Sequence, residues 1–520
     1  MSQTLIAALQ NPALFPHPVE SFRLIETHIS WVLLTGRYAY KIKKPVNFGF
    51  LDFTSLEARK HFCEEELRLN QRLTEGLYLE VLPITGSEEA PVLGGDGPAI
   101  EYLLKCREFS QTGLLSDVQA RGELSSAHID ALAQQIADFH QRTPQVPQEN
   151  PLGTPEACMA PVRQNFEQIR PLLTEKADLQ QLDALEAWAE TSFERLLPVF
   201  QARKANGFIR ECHGDIHLGN AAIIDERVVL FDCIEFNEPF RFTDVTADFA
   251  FLAMDLEDRG LKCHSRRFVS QYLEYTGDYQ ALELLNFYKA YRALVRAKIA
   301  LFSLAHLSDA VQKAATLRQY RNYANLAESY SAIPSPFLAI THGVSAVGKS
   351  QVALRLVEAL GAIRLRSDVE RKRLFGEQKA DSQDQLGAGI YSPGASEATY
   401  QHLHQLAGGI LRAGYPVVLD ATYLKQAQRA AAWEVAEETG VPFLILDCEA
   451  PESVLAGWLA QRQAEGSDPS DATLDVIHSQ QASREPLSAE EQAHSRRVDT
   501  PDAASLDGLV ESIRQRLPNL

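Results

Sequence analysis

The chain has 520 residues, 45% of them hydrophobic and 23% charged, which is typical of globular proteins and longer than one hydrophobic core usually supports. The net charge of −19 disfavours nucleic-acid binding as the main function, because affinity for a phosphate backbone depends on clustered Lys and Arg. The seven cysteines form no C-x-x-C pair and no run of about 18 apolar residues occurs, which argues against a disulfide scaffold, a zinc site and a membrane span and favours a cytoplasmic protein.

The first elements in chain order are predicted to form an antiparallel sheet. Three short runs read as strands, and Gly36-Arg37 is typical of a tight turn between the second and the third: SFRLIET, SWVLLTG and YAYKIKKPV. A helical pattern follows from Ser55 to Leu73, and the strand AIEYLLKC comes after a turn-rich segment. We assign residues 1–108 to a small lobe.

The chain beyond Ser125 is predicted to be mainly helical as far as residue 330. Apolar residues recur at helical spacing in AHIDALAQQIADFHQ, LDALEAWAETSFERLLPVF and LELLNFYKAYRALVRAKIALF. One segment, ECHGDIHLGNAAIIDERVVLFDCIEFN, interrupts them and reads as a loop, a short hairpin and a second loop. Catalytic residues tend to collect on such loops when a rigid scaffold holds them. We assign residues 109–330 to a helical large lobe.

The pattern changes again after Tyr330. The two prolines of SAIPSPF indicate a linker over residues 331–336. Strand and helix patterns then alternate, with FLAITHG, PVVLDAT and PFLILDC as strands, and this alternation predicts a parallel sheet with flanking helices. We assign residues 337–520 to this α/β domain.

The strongest single motif is a phosphate-binding loop in the α/β domain. The segment GVSAVGKS fits G-x-x-x-x-G-K-[ST], and it lies between a predicted strand that ends at His342 and a predicted helix that starts near Lys349. In such a loop, backbone N–H groups point inward at a phosphate, the lysine contacts the β- and γ-phosphates and the serine binds Mg²⁺. The predicted nucleotide-binding residues are Gly343, Ser345, Ala346, Val347, Gly348, Lys349 and Ser350.

Three further residues are candidates for chemistry beside this loop. Asp420 ends the apolar run VVL, where a carboxylate can hold magnesium. Asp368 ends AIRLRSD, where it could accept a hydroxyl proton or could instead cap the following helix. Arg462 could contact the transferred phosphoryl group, and a solvated position is an equally good interpretation.

A second constellation lies in the loop that interrupts the helical lobe. Asp215 is placed to orient and deprotonate an acceptor hydroxyl, and Asn220, five residues later, offers a neutral oxygen to magnesium. The strand VVLF then delivers Asp232 as a charged metal ligand. This spacing matches the H-R-D-x-x-x-x-N pattern of protein kinases, which is followed by a metal-binding aspartate.

A lysine on the third strand could hold the α- and β-phosphates at this second site. Lys41 and Lys43 point to the same face, because strand side chains alternate, and we prefer Lys41 for its A-x-K context. Its partner carboxylate is expected among Glu64, Glu65 and Glu66, and we select Glu66.

Other polar residues are candidates for supporting roles. His217, Glu235 and Asp248 could hold the catalytic loop in place without contacting the substrate. On the helix FYKAYRALVRAKIALF, Lys289, Arg292 and Arg296 share one face, which could bind an anionic acceptor, although a solvated stripe is the favoured interpretation.

These motifs resemble two known kinase families. The HGDIHLGN loop is similar to that of aminoglycoside phosphotransferases and their choline- and homoserine-kinase relatives, over roughly residues 15 to 325. GVSAVGKS, SDVERKR and DATY resemble the small-molecule and polynucleotide kinase branch of P-loop proteins, which includes zeta-toxin-like enzymes. The order of the two resembles bacterial fusion proteins, as do ETHISWVLLTGRYAYKIKKPVNFGFLDF and FDCIEFN. The resemblance implies an α+β, two-lobed protein-kinase-like domain followed by an α/β P-loop NTPase domain.

The functional hypothesis is an ATP- and Mg²⁺-dependent phosphotransferase with two nucleotide sites and a small-molecule hydroxyl as acceptor. Two alternatives stay open at this point. One module could sense nucleotide and regulate the other, or the C-terminal half could be a nucleotide or polynucleotide kinase. The sequence leaves the acceptor and the oligomeric state open.

Overall fold

The computed structural model describes residues 3–49, 51–304, 307–332, 336–376, 390, 392–451, 454–455, 457–458 and 474–517. Its contacts divide the chain into two compact units. The first comprises Met1–Asp258 and Phe287–Ala327, and the second comprises Arg259–Asn286 and Glu328–Leu520. The chain therefore enters the second unit, returns to the first and enters the second again. The predicted boundaries at residues 108, 330 and 336 stay predictions, and part of the predicted linker lies outside the described residues.

An antiparallel sheet of six strands forms the small lobe of the first unit, in the order β1-β2-β3-β6-β4-β5. The strands are β1 (Arg23–Glu26), β2 (Ser30–Leu34), β3 (Tyr38–Lys43), β4 (Tyr78–Gly86), β5 (Pro91–Leu93) and β6 (Glu101–Arg107). The first three form the predicted meander, and β6 contains most of AIEYLLKC. Sequence reasoning did not predict β4 and β5.

Helix α2 (Leu56–Gln71) crosses this sheet, after the short helix α1 (Gln3–Ala8). Ser55 caps α2, since its side chain accepts a hydrogen bond from the backbone of Ala58 at 3.0 Å. The buried residues of α2 recur every three or four positions and face β4 and β6. Glu66 lies on this buried face, so its carboxylate points into the lobe.

Helices dominate the large lobe of the first unit. The helices are α3 (Leu115–Ala120), α4 (Ser126–Arg142), α5 (Pro155–Ile169), α6 (Lys176–Ala205), α7 (Glu238–Arg241), α8 (Val245–Asp258), α10 (Leu282–Leu304) and α11 (Ala310–Ser329). Helix α8 is buried from Val245 to Leu256 without interruption, so it is the centre of this lobe. A helix that is buried all round can hold neighbouring segments from every side.

Two short strand pairs interrupt the helices, and one of them is the predicted hairpin. Strand β7 (Ile209–Glu211) pairs with β10 (Phe242–Asp244), and β8 (Ala221–Ile224) pairs with β9 (Arg227–Leu230). The β8–β9 turn uses positive φ angles at both central residues, 50° at Asp225 and 65° at Glu226, as a type I′ turn requires. This tight hairpin places the segment after β9 beside the loop before β8.

The second unit is built on a parallel sheet of five strands in the order β12-β13-β11-β14-β15. They are β11 (Leu338–His342), β12 (Ile363–Arg366), β13 (Val417–Asp420), β14 (Phe443–Glu449) and β15 (Ser495–Asp499). The described helices are α9 (Lys262–Thr276), α12 (Lys349–Leu360), α13 (Ser367–Phe375), α14 (Pro393–Arg412), α15 (Gln426–Thr439), α16 (Leu474–Ser483), α17 (Ala489–His494) and α18 (Ala503–Arg516). All five residues of β11 are buried, and the predicted parallel sheet is confirmed.

Within the described part of the chain, no helix combines the length and the apolar character needed to cross a membrane. The cytoplasmic location inferred from the sequence stays a prediction.

Candidate active sites

Helix α8 holds the loop that carries Asp215. The carboxylate of Asp248 accepts hydrogen bonds from the backbone N–H groups of His213 at 2.9 Å and Gly214 at 2.8 Å. Two turns further along α8, the carboxylate of Asp255 accepts a hydrogen bond from the backbone N–H of Leu218 at 3.0 Å. Because charged acceptors make strong hydrogen bonds to buried N–H groups, the loop is anchored at both ends.

Asp215 and Asn220 are in direct contact inside this loop. The amide Nδ2 of Asn220 donates to Oδ2 and to the backbone oxygen of Asp215, both at 3.0 Å. His217 Nε2 lies 3.4 Å from Asp215 Oδ2. Burial raises the pKa of Asp215, but His217, His213 and Arg296 outweigh burial and lower that pKa to about 2. Asp215 is therefore an ionised carboxylate at neutral pH.

Lys41 joins the small lobe to the segment after β9. Its Nζ donates to Oε1 of Glu66 at 2.7 Å and to Oδ1 of Asp232 at 2.8 Å. The neighbouring glutamates do not share this position, since Glu64 pairs with Lys60 and Glu65 with Arg68. The structure thus brings together Lys41, Glu66 and Asp232.

Lys43 also contacts Glu66, but it lies deeper. Its Nζ donates to Oε2 of Glu66 at 2.7 Å and to Glu235, and the side chain is only 1% exposed. Burial raises the pKa of Glu66, and the two ammonium groups, Lys41 and Lys43, lower it to about 2. Only Lys41 of the two lysines lines the neighbouring cavity.

This cavity has a volume of about 1050 Å³, and Lys41, Asp215 and Asp232 all line it. Ligand sites of small molecules reach volumes of this order. The residues fit a magnesium ion, because Asn220 Oδ1 and Asp232 Oδ2 accept no hydrogen bond from any residue that the structure describes. Carboxylate and amide oxygens are the ligands that Mg²⁺ prefers.

The phosphate-binding loop of the second unit follows β11 directly. Its backbone has positive φ angles at Gly343 (144°), Ala346 (64°) and Gly348 (87°), a geometry that turns successive N–H groups inward. A Cβ on Gly343 would lie 2.8 Å from the carbonyl oxygen of Cys448, so side chains are excluded there by contact as well as by conformation.

Three contacts brace this loop. Lys349 Nζ donates to the carbonyl of Val344 at 2.6 Å, and Thr500 Oγ1 donates to the carbonyl of Val347 at 2.6 Å. The N–H of Ser345 donates to Oε1 of Gln480, on α16, at 2.7 Å. Lys349 therefore curls over the loop, and one N–H group of the cradle already has a side-chain acceptor.

Asp420 lies beside this loop because β13 pairs with β11 in parallel. Its side chain is buried, and its Oδ2 has no hydrogen-bond partner among the described residues. The nearest cation is the guanidinium of Arg366, at 3.9 Å. A buried carboxylate oxygen without a partner is costly unless a ligand or metal satisfies it, so Asp420 fits a magnesium site.

Asp368 lies in the first turn of α13, close enough to Asp420 and Lys349 for both to affect its pKa. The N-cap residue of α13 is Arg366, so Asp368 does not cap the helix. Burial raises the pKa of Asp368 above its ordinary value, and Asp420 adds to this effect. Arg366, Arg371 and Lys349 act in the opposite direction.

Arg462 lies outside the described residues. Sequence reasoning missed Gln480, Thr500 and Arg484, whose guanidinium donates to Asp447 at 2.8 Å and lies 3.1 Å from His342 Nε2. Burial and then Arg484 lower the pKa of His342 to about 4, so His342 is neutral and can accept that bond. No motif contains these residues, because they reach the loop only through the order of the strands.

Comparison with family models assigns both halves. Residues 63–285 match the phosphotransferase enzyme family, and residues 338–487 match the AAA domain family. The chain joins a phosphotransferase-family domain to a P-loop kinase-like domain. The predicted fold class, protein-kinase-like and then P-loop NTPase, is thereby confirmed, and the two domains support a phosphotransferase.

Related sequences span most of the chain, and similar solved structures each cover a smaller share of it. Uncharacterized proteins of Mycobacterium tuberculosis and Mycobacterium bovis are each 29% identical over 87% of this chain and 89% of their own length. The solved GDP complex of aminoglycoside 2′-phosphotransferase-IIIa is 16% identical, covers 62% of this chain and 99% of its own, and has a TM-score of 0.40. The Mycobacterium tuberculosis APS kinase is 21% identical over 36% of this chain and 99% of its own, with a TM-score of 0.25.

Proposed function

We propose that the chain is an ATP- and Mg²⁺-dependent kinase that phosphorylates a hydroxyl of a small molecule, with a nucleotide site in each domain. The observation that carries this proposal is the contact of Lys41 with Glu66 and Asp232 beside a cavity that Lys41, Asp215 and Asp232 line. These residue types are the ones that phosphoryl transfer needs, namely a phosphate-binding cation, a metal ligand and a base.

In the phosphotransferase-family domain, Lys41 would bind the α- and β-phosphates, and its contact with Glu66 would keep it in place. Asp232 and Asn220 would hold magnesium, which supplies neutralisation of the phosphate charge when it is bound. Asp215, ionised and oriented by Asn220, would accept the proton of the acceptor hydroxyl.

In the P-loop domain, the backbone N–H groups of the loop and the N-terminus of α12 would bind phosphate. Ser350 and Asp420 would hold magnesium, and Lys349 would leave the carbonyl of Val344 for the β- and γ-phosphates. Asp368 would act as the base, and its raised pKa makes it a better proton acceptor than an ordinary aspartate.

The test is a transfer assay with γ-phosphate-labelled ATP against a library of hydroxylated metabolites and antibiotics. We would compare the wild type with Asp215→Asn, Asp368→Asn and the double variant. These substitutions keep the side-chain shape, so nucleotide binding should persist in all of them. We expect each labelled product to disappear in one single variant. Label transfer that survives in the double variant would show that the proposal is wrong.

A regulatory role for the P-loop domain is favoured by one contact. The Ser345 N–H that would face a phosphate donates to Gln480, whose Nε2 also donates to Ser345 Oγ at 3.0 Å. Nucleotide binding would displace this side chain from the loop and so move α16. In this second reading, the domain senses nucleotide, and Asp368→Asn would leave every transfer reaction unchanged.

A further inference from the structure

One wall of the cavity beside Asp215 is formed by the second half of α10. Tyr291, Arg296 and Ile299 line the cavity, and the lining continues to the end of the helix at Leu304. Lys41, Asp215 and Asp232 line the same cavity. The α10 wall contains none of the residues assigned above to nucleotide or magnesium, so it is free to bind the other substrate.

The charges of the cavity are distributed unevenly. Three described lining residues carry a carboxylate, and all three belong to the loops of the transfer site: Asp215, Asp232 and Glu235. Besides Lys41, the described lining carries four cationic side chains, all on α10 and α11: Arg292, Arg296, Lys298 and Lys313. The lining that these two helices contribute therefore presents positive charge and, among the described residues, no carboxylate.

Lys298 is the decisive residue of this wall. Its side chain is 7% exposed, lines the cavity and has no hydrogen bond or ion pair with any residue that the structure describes. Burial lowers its pKa to about 8, which still leaves the ammonium group mainly protonated at neutral pH. A buried cation without a counter-ion is costly, so it indicates an anionic ligand.

Arg292 and Arg296 extend the positive field along the same helix. Arg292 is 4% exposed, donates to the carbonyl of Ala247 at 3.0 Å and lies over the rings of Phe251 and Tyr291, with no carboxylate partner in the described chain. Arg296 is close enough to Asp215 to lower the pKa of that carboxyl group. The cations therefore lead from the helix wall to the transfer site.

The rest of this wall is apolar. Ile299 is 46% exposed and Phe48, which also lines the cavity, is 45% exposed. Phe302 and Leu304 continue the apolar lining toward the end of α10. Exposed large apolar side chains around a buried ammonium group suit a ligand with an anionic group on an apolar body.

We propose that the acceptor of the phosphotransferase-family domain is an anionic hydroxyl compound, a carboxylate or phosphate on an apolar body, whose anion binds Lys298. This inference rests on the proposed function, because it supplies the acceptor for that site. The acceptor oxygen forms a bond to the γ-phosphorus of ATP while the bond from that phosphorus to the β-γ bridging oxygen breaks. ADP leaves, and the hydroxyl proton passes to Asp215 and then to solvent. A polycationic aminoglycoside is excluded by like charge along α10.

The experiment uses the full-length protein and matched probes. These are ω-hydroxydecanoate, ω-hydroxydecyl phosphate, the methyl ester of the acid and ω-aminodecanol. Binding is measured by calorimetry in the presence of ADP and Mg²⁺, and phosphorylation is measured with labelled ATP. We expect at least one anionic probe to bind about tenfold or more tighter than both the ester and the amine, as a charge-assisted contact predicts.

Variants assign this preference to Lys298. Lys298→Met should remove it while ADP binding is retained, Lys298→Arg should keep it, and the exposed Lys176→Met should behave as wild type. Retained ADP binding and the Lys298→Arg result separate a lost contact from a misfolded protein. Equal affinity for charged and neutral probes, or an unchanged preference in Lys298→Met, would overturn the inference. Anion binding that depends on Lys298 without Asp215-dependent phosphorylation would instead support the anion site and contradict the proposed transfer reaction.

Discussion

At the scale of single residues, the buried carboxylate of Glu66 pairs with both lysines of β3. Strand alternation placed Lys41 and Lys43 on one face, and the A-x-K context favoured Lys41, but the acid that each lysine meets depends on residues far along the chain. Lys41 reaches Asp232 and the cavity, whereas Lys43 reaches Glu235. Local pattern predicts which face a side chain occupies, and only the tertiary fold decides which acid it meets.

The first prediction concerns this carboxylate. Glu66→Gln removes one buried negative charge that pairs with two ammonium groups, that of Lys43 being buried, so we expect a loss of about 3–5 kcal/mol in the free energy of unfolding. Chemical denaturation would measure it. Glu64→Gln is the matched control on the same helix, since Glu64 is exposed and its pair with Lys60 spans 3.8 Å. Equal stability of the two variants would contradict the assigned contacts.

The second prediction concerns pH. A carboxylate base must be ionised, and the pKa of Asp215 is about 2 whereas that of Asp368 is raised above its ordinary value. As pH falls, the reaction of the P-loop domain should therefore decline at a higher pH than that of the phosphotransferase-family domain. Asp215→Asn and Asp368→Asn each isolate one reaction. At each pH, the rate of Asp215→Asn is divided by the rate of Asp368→Asn, which cancels the effect that the titration of ATP has on both reactions. A ratio that stays constant between neutral pH and mild acid would refute the assignment of the bases.

At the scale of secondary-structure elements, the sequence predicted those with a strong period and missed those without one. The parallel sheet and the helix after the phosphate loop are confirmed. They could be predicted because their sequences are apolar in a regular pattern and are bounded by turn residues. Strand β4 was missed, since Pro83 lies within it and its pairing with β6 shifts register between Tyr78 and Glu80. An irregular strand between two partners is stabilised by its neighbours rather than by its own pattern.

The third prediction concerns Gln480 on α16, whose side chain accepts a hydrogen bond from the backbone N–H of Ser345. Gln480→Ala removes a side chain that phosphate must displace, so we expect ADP to bind several-fold more tightly, on the order of one hydrogen bond. Titration of a fluorescent ADP analogue would measure this. Gln492→Ala, an exposed glutamine on α17, is the control. Weaker binding in Gln480→Ala would mean that this side chain supports the nucleotide instead.

At the scale of the whole molecule, the sequence predicted two domains in series but not the path between the compact units. Helix α9 clusters with the second unit, although it lies within the range that matches the phosphotransferase family. There it packs on α12 and β12, and Glu274 forms a buried ion pair with Arg364 at 3.0 Å. The sequence pattern of α9 predicts a helix, but its choice of partner is a property of packing.

The fourth prediction follows from the position of α9. A fragment of residues 1–330 lacks α12 and β12, so Ser270 and Glu274 of α9 lose their hydrogen bonds with Arg364. We expect amide hydrogen exchange in α9 to be at least about tenfold faster in this fragment than in the full chain. The amides of α6 serve as the internal reference. Unchanged protection of α9 would show that it does not depend on the second unit.

The three passages of the backbone between the units have a consequence for how such proteins can evolve. Recombination near residue 330 would separate Arg259–Asn286 from the rest of its unit and leave the buried carboxylate of Glu274 without Arg364. An ancestor with only the phosphotransferase-family domain would have needed a shorter or more polar excursion between α8 and α10. Gain or loss of the C-terminal half should therefore leave its clearest trace inside the N-terminal gene segment, at α9 rather than at the junction.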